Sequence, residues 1–408
     1  MKTTKTISRI LPFTVLFALA AGCNKQADNL DNTIFRGYNT SNAQVLTLSE
    51  INTATTLTNH AASVDYIITH YLEVNAPLVI EEGTTIMFRE GAGIAVKPSG
   101  TLTATGTPSA PIVFTSETEK RGTWKGITFL STAPQNELAY CKIELGGGAS
   151  PYGSANVIIG NEGYHAAAKI INCEITTSLN IGVIIAAGSE FREFKENKLL
   201  TNSSFGVTTD LANAPLITPT NVFSNNGKEF IQIKGYGCNK PVSAQVKLAP
   251  LPTPYLISGD IYMCNLLSIS EGVKLYMDKN AALIIDGTSG SGTLNAVGTQ
   301  AQPIVIAPLY QGKGVWGNIR FLSSNSVNNR IEYCRISGGG DEGICQGANA
   351  MLTISAGNEG SKVIIRNNII YNSSSYGIAV EHVNCEVNDD LLSGNVFESN
   401  DAGNVLFQ

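Results

Sequence analysis

Gly100–Ser131 reads GTLTATGTPSAPIVFTSETEKRGTWKGITFLS, and Gly292–Ser323 reads GTLNAVGTQAQPIVIAPLYQGKGVWGNIRFLS. The two stretches align without a gap at a constant offset of 192 in the numbering (292 − 100). Trp124 and Trp316, the only tryptophans, hold the same place in each. Small, turn and apolar residues recur in step, which marks a duplicated structural module.

Outward from this box the chain keeps one texture. Short apolar or alternating runs follow one another, among them Tyr66–Ile68, Leu78–Ile80, Thr85–Phe88, Gly93–Val96 and Ile112–Thr115. Gly, Pro, Asn or a charged pair separates them, so they read as strands of about four to five residues with tight corners. The sequence shows no convincing amphipathic helix, which excludes ordinary βαβ crossovers.

A sandwich, a propeller and a β-helix all use many short strands. Finer repeats decide among them. Leu199–Val207, LLTNSSFGV, returns as Ile369–Ile378, IIYNSSSYGI, and Asn221–Asn226, NVFSNN, returns as Asn395–Asn400, NVFESN. The cadence is apolar strand, corner Asn, small residues, Gly, apolar strand. It resembles the coil motif of right-handed parallel β-helices, whose corners use the tolerance of Asn and Gly for left-handed backbone angles. Corner Asn amides can also hydrogen-bond up the stack.

Asn202 and Asn372 are offset by 170 (372 − 202) instead of 192, and the difference of 22 is about one coil. The first copy therefore carries an extra coil near Cys173–Asn197. Solenoids tolerate whole-coil changes because each unit touches only its neighbours. The expected fold is an all-β, right-handed parallel β-helix of two duplicated, abutting modules. Residues 66–237 form the first module, 238–254 a Pro-rich joint and 255–408 the second.

The N-terminus reads as an address. Lys2, Lys5 and Arg9 precede an apolar run that ends in Leu19-Ala20-Ala21-Gly22-Cys23. This is a signal peptide over 1–22, too short to span a membrane. Its end resembles the lipobox of bacterial lipoproteins, although Ala20 stands where that family often has leucine. The resemblance implies a lipid on Cys23 as the membrane attachment, followed by a polar tether over 23–65. It places the chain in the cell envelope of a Gram-negative-like bacterium as an outer-membrane lipoprotein. The formal charge of −6 becomes −9 once Lys2, Lys5 and Arg9 are removed. With no basic tract, nucleic acid is excluded as a partner.

Glu271-Gly272, Gly292–Thr299, Pro303–Ile306 and Trp316–Phe321 together resemble the secreted β-helix proteins of Bacteroidetes-type bacteria. That resemblance covers most of the chain and speaks for fold, because β-helices host unrelated activities.

Eight cysteines leave an odd number once Cys23 is lipidated, which argues against a disulfide framework. Cys141, Cys173 and Cys334 read as small core residues. Cys238 and Cys264 flank the joint and are the pair placed to form a disulfide. His60, His70, His165 and His382 are scattered, so no metal site is expected.

The repeated tryptophan reads as framework. Function is expected where the copies differ. Lys142, Glu144 and Glu174 lie on adjacent strands of the first copy, and Glu144 and Glu174 are expected to stand outward ~5 Å apart on neighbouring coils. Such a carboxylate pair can serve a calcium ion, a sugar or Lys142; no other cofactor is expected. Tyr152, Asp341 and Glu342 sit in divergent loops after Gly146-Gly147-Gly148 and Gly338-Gly339-Gly340. Three functions fit: a non-catalytic scaffold binding carbohydrate or a surface macromolecule, as in adhesion; a polysaccharide lyase or glycoside hydrolase; and a structural spacer.

Overall fold

A computed structural model describes residues 38–288, 290–341, 350–357, 359–381 and 384–408. Cys23, Glu342 and His382 fall outside the described residues. The strands build one eight-stranded, one fourteen-stranded and three six-stranded sheets, with parallel pairing from coil to coil. This is a right-handed parallel β-helix. Burial alternates along the strands, as in Tyr71–Val74, Pro77–Ile80 and Lys274–Met277, so alternate side chains enter the bore. The inward residues form one core cluster that runs from Ile51 to Leu391.

Each corner must satisfy the backbone groups that leave the strands, and stacked asparagines do this. Asn202 accepts from the Ser178 amide at 3.1 Å and donates to the Ile175 carbonyl at 3.2 Å. Its own amide donates to Asn226 Oδ1 at 3.1 Å. Asn197 and Asn221 repeat the arrangement at a second corner, and Asn368 and Asn395 repeat it in the second copy. In the opening box the Leu102 amide is met by Asn136, and the Leu294 amide by Asn329.

The ladders correct the alignment of the copies by one position. Ser373, not Asn372, takes the place of Asn202, because its amide donates to Asn400 Oδ1 at 3.0 Å. Asn372 has φ 58° and matches the left-handed Thr201 at φ 53°. The offset from Asn202 to Ser373 is 171 (373 − 202), so the shortfall against 192 becomes 21, still about one coil. Strand counts agree. After Ile112–Ser116 its sheet continues through Cys141–Glu144, Glu174–Thr176, Lys198–Leu200 and Val222–Ser224. After the matching Ile304–Pro308, among the described residues, only Cys334–Ser337, Ile369–Tyr371 and Val396–Glu398 follow.

The solenoid also begins before Tyr66. Gln44–Leu46, Glu50–Ile51 and Thr55–Leu57 pair with the three strands of the next coil, inside the stretch expected to be tether. Only Ile51 and Leu57 of these strands are buried, so their apolar periodicity is too sparse to read as a coil.

The copies meet in the fourteen-stranded sheet, where Ile231 pairs with Tyr255 and Ile233 with Ile257. In the first copy Ile112–Ser116 belongs to the eight-stranded sheet and Ile127–Phe129 to the fourteen-stranded one. In the second copy it is Ile304–Pro308 that enters the fourteen-stranded sheet. The second copy is thus turned by one strand position about the solenoid axis.

A loop from Glu117 to Lys125 separates Ile112–Ser116 from Ile127–Phe129. From it Arg121 donates to the Thr201 carbonyl at 2.6 Å and to Ser203 Oγ at 2.9 Å, three coils away. Lys313, its counterpart at the constant offset between the copies, donates to the Ser399 carbonyl at 2.6 Å and pairs with Asp401. Both cations grip a left-handed corner, Thr201 or Ser399 at φ 55°. Each copy therefore carries a strap across its own coils.

Candidate functional site

The eight-stranded sheet carries a buried outward column in the first copy. Thr115, Glu144 and Thr176 are in register there and are all buried. Trp124 and Trp316 lie in the core, fully buried. Their indole nitrogens donate to the carbonyls of Glu144 at 2.9 Å and Ser337 at 2.8 Å. A Cβ on Gly146 would come within 3.0 Å of the Trp124 ring, and one on Gly339 within 2.8 Å of Trp316. The Gly triplets accordingly make room for the tryptophans.

Glu144 and Glu174 do not form the expected pair. Ile143 faces Ile175, so Glu144 faces Thr176 while Glu174 faces Lys142. One glutamate follows its inward isoleucine and the other precedes its own, which places them in different columns. Lys142 holds Glu144 at 2.7 Å, and Thr115 donates to the same carboxylate at 3.0 Å.

Lys142 and Glu174 instead share a cleft of about 300 Å³. Its floor is the in-register series Lys142, Glu174 and Lys198. Pro108, Pro111 and Tyr140 wall it on one side, and Glu196 also lines it. Tyr140, Asn172 and Glu196 stack at the corner with φ of 50°, 53° and 57°. Asparagine tolerates that region, whereas tyrosine and glutamate reach it when packing holds them there. The Glu174 carboxylate has no ion-pair partner among the described residues. Sequence reasoning missed Tyr140, Glu196 and Lys198. The available signal was the step from Glu174 to Lys198, which is one coil.

With this geometry in view, the comparison with known families gives one match. Residues 49–163 match the family model of the pectate-lyase-like β-helix domain. That stretch includes the first box, Tyr140, Lys142 and Tyr152, and ends before Glu174. Comparisons with curated proteins and with solved structures gave no match.

The remaining candidates scatter. Tyr152, within the pectate-lyase-like stretch, sits in a tight turn closed by the Ser150 amide on the Gly153 carbonyl at 2.9 Å. It lies beside Lys97 and Tyr71, away from the cleft. Asp341 donates its amide to the Trp316 carbonyl at 3.3 Å and does not line the cleft.

Cys238 and Cys264 are not joined. Cys238 is exposed in the turn Gly237–Asn239, whereas the buried Cys264 directs its thiol toward Asp286, Sγ to Oδ2 3.8 Å. Cys141 and Cys173 are in-register core residues, and burial pushes the Cys141 thiol well up, with Cys173 beside it adding to the rise. Among the described residues no group of three or more His, Cys, Asp and Glu side chains could hold a metal. The separation of Glu144 from Glu174 removes the calcium ligand pair expected from sequence, so these residues do not fit that ion.

Proposed function

We propose that the chain is a non-catalytic carbohydrate-binding scaffold of the bacterial cell envelope, tethered to the outer membrane by a lipid on Cys23. A polysaccharide-related role fits the pectate-lyase-like match. The observation that carries the reading is the cleft at the extra coil. It offers an aromatic and proline wall for a sugar ring, and a floor of alternating ammonium and carboxylate groups for its hydroxyls. These groups stand on a ladder of parallel strands, which suits a preorganised binding surface.

A hydrolase is the second reading. Glu174 and Glu196 line one cleft, and glycoside hydrolysis uses two carboxylates across the scissile bond.

A glycan array followed by a reducing-sugar and unsaturated-product assay separates the readings. Binding without turnover is expected, and both Tyr140→Ala and Glu174→Gln should weaken it about tenfold, as loss of a stacking wall or a charged hydrogen bond implies. Turnover that Glu174→Gln abolishes would establish the hydrolase, and no binding on a broad panel would leave a structural spacer. In cells, Cys23→Ser should move the protein out of the membrane fraction, because the acyl chains supply the attachment. Retention of that variant in membranes would remove the lipid from the proposal.

A further inference from the structure

A second cluster lies on the outer side of the fourteen-stranded sheet, whereas the cleft is on the eight-stranded one. Tyr71 packs against Gly93, where a Cβ would come within 2.8 Å of its ring, and its hydroxyl reaches Thr128 Oγ1 at 3.5 Å. Lys125 Nζ stands 5.0 Å from the centre of that ring. Lys97 Nζ lies 3.2 Å from Glu73, with Tyr152 beside it, and Ser150 reaches toward the Tyr71 hydroxyl. Both ammonium groups and both phenols are half-buried.

Burial pushes Tyr71 up to about 12, against the hydrogen bonds with Thr128 and Ser150. Desolvation alone would lower Lys97, but the Glu73 hydrogen bond and the neighbouring Tyr152 outweigh it and raise its pKa. By residue type the cluster holds two lysines and one glutamate, a formal charge of one positive, together with several hydroxyl groups. Glu73, the carboxylate of the cluster, is engaged by Lys97.

The cluster belongs to one copy only. At the constant offset of 192, Gly317 replaces Lys125 and Arg320 replaces Thr128. A framework need common to both modules does not account for it.

We propose that this cluster binds the sulfate or phosphate ester of a saccharide, with the tetrahedral oxyanion between Lys97 and Lys125 and the sugar ring against Tyr71 and Tyr152. Lysine ammonium groups act as point charges and take donors' positions around three oxygens in space. The planar fork that reads a carboxylate in two parallel bonds is supplied by arginine, and the cluster has none. Half-burial and the ring faces favour an ester on a sugar over a free, fully hydrated ion.

The test is calorimetry on the full chain at low ionic strength with three ring-matched probes: glucose 6-sulfate, glucose 6-phosphate and glucuronate. At least one ester should bind about tenfold more tightly than glucuronate. Lys97→Gln and Lys125→Gln should each weaken ester binding about tenfold, while Glu73→Gln should tighten it by freeing Lys97. Thermal midpoints report whether each variant folds, and Glu73→Gln carries the test should a lysine variant fail. Ester binding no tighter than that of glucuronate, absence of ester binding, or ester affinity unchanged in the folded lysine variants or in Glu73→Gln would overturn the proposal. It does not rest on the cleft, so failure at one site leaves the other standing.

Discussion

Trp124→Ala is expected to lower the stability of the first module by about 3–5 kcal/mol, the range for truncating a buried aromatic to alanine. Trp124 is fully buried and stacks on Phe88 with ring centres 4.1 Å apart and planes 7° from parallel. Alanine would leave a cavity beside Phe88 and strand the Glu144 carbonyl that now accepts the indole N–H at 2.9 Å. The two losses separate experimentally. Trp124→Phe keeps most of the apolar volume and loses the donor, so it should cost about 1–3 kcal/mol, the range for orphaning a buried acceptor. A double-mutant cycle between Phe88→Ala and Trp124→Ala should return about 0.5–1.5 kcal/mol of coupling from the ring pair. Denaturant unfolding with hydrogen exchange is the appropriate measurement, because a solenoid can open module by module. A loss below about 1.5 kcal/mol for the alanine variant would show that the site collapses around the cavity.

Trp124 also shows how much could be read without coordinates. A tryptophan kept twice in a fixed frame points to the core, and both indoles are there. Period and repeat likewise sufficed for the β-helix, its corner asparagines and the extra coil. The site was less legible, because the order along a strand does not reveal which residues of the next coil stand opposite. A one-residue choice of register decides whether Glu144 meets Glu174 or Thr176, and alternation alone leaves that open. Tyr140 and Glu196 were harder still. Their side chains line the cleft because the backbone turns left-handed at the corner, and neither residue type announces such a turn. The Cys238–Cys264 pairing failed for a related reason. Nearness to the joint says nothing about whether two thiols point toward each other.

The turn between the copies has a consequence for binding. Because the second module is displaced by one strand position, equivalent faces do not continue one another along the solenoid. The charged series Val113, Lys142, Glu174, Lys198 and Val222 has the counterparts Val305, Arg335, Ile369 and Val396 on the fourteen-stranded sheet. Only the first copy, with its extra coil, alternates charge there. Duplication has kept the frame and the straps while the outward chemistry diverged, so the two modules are two surfaces and not one repeated stripe.

Asn202 provides the second large effect. Its side chain is buried at a corner, where it accepts from the Ser178 amide and donates to the Ile175 carbonyl and to Asn226 Oδ1. Asn202→Ala removes all three bonds inside a packed corner that excludes water. Asn226 Oδ1 keeps the bond from the Asn202 backbone amide, so two groups are orphaned, and at about 1–3 kcal/mol each a total of about 2–6 kcal/mol is expected. Asn202→Asp tests the direction of the bonds. An aspartate can still accept from Ser178, but its ionised form faces two oxygens where the amide donated. Burial and those oxygens raise its folded pKa above the unfolded value of about 3.9. The folded variant then holds its proton more tightly than the unfolded chain. Relative to wild type its stability is greatest below about pH 4 and falls as pH rises toward the raised folded pKa. At neutral pH Asn202→Asp should therefore be at least as destabilised as Asn202→Ala, with the order reversed in acid, where the protonated carboxyl can donate again. Denaturation midpoints of both variants and wild type at pH 3.5 and pH 7 give the comparison. A pH-independent difference between Asn202→Asp and wild type would mean that the corner admits water and that the amide ladder is not what closes it.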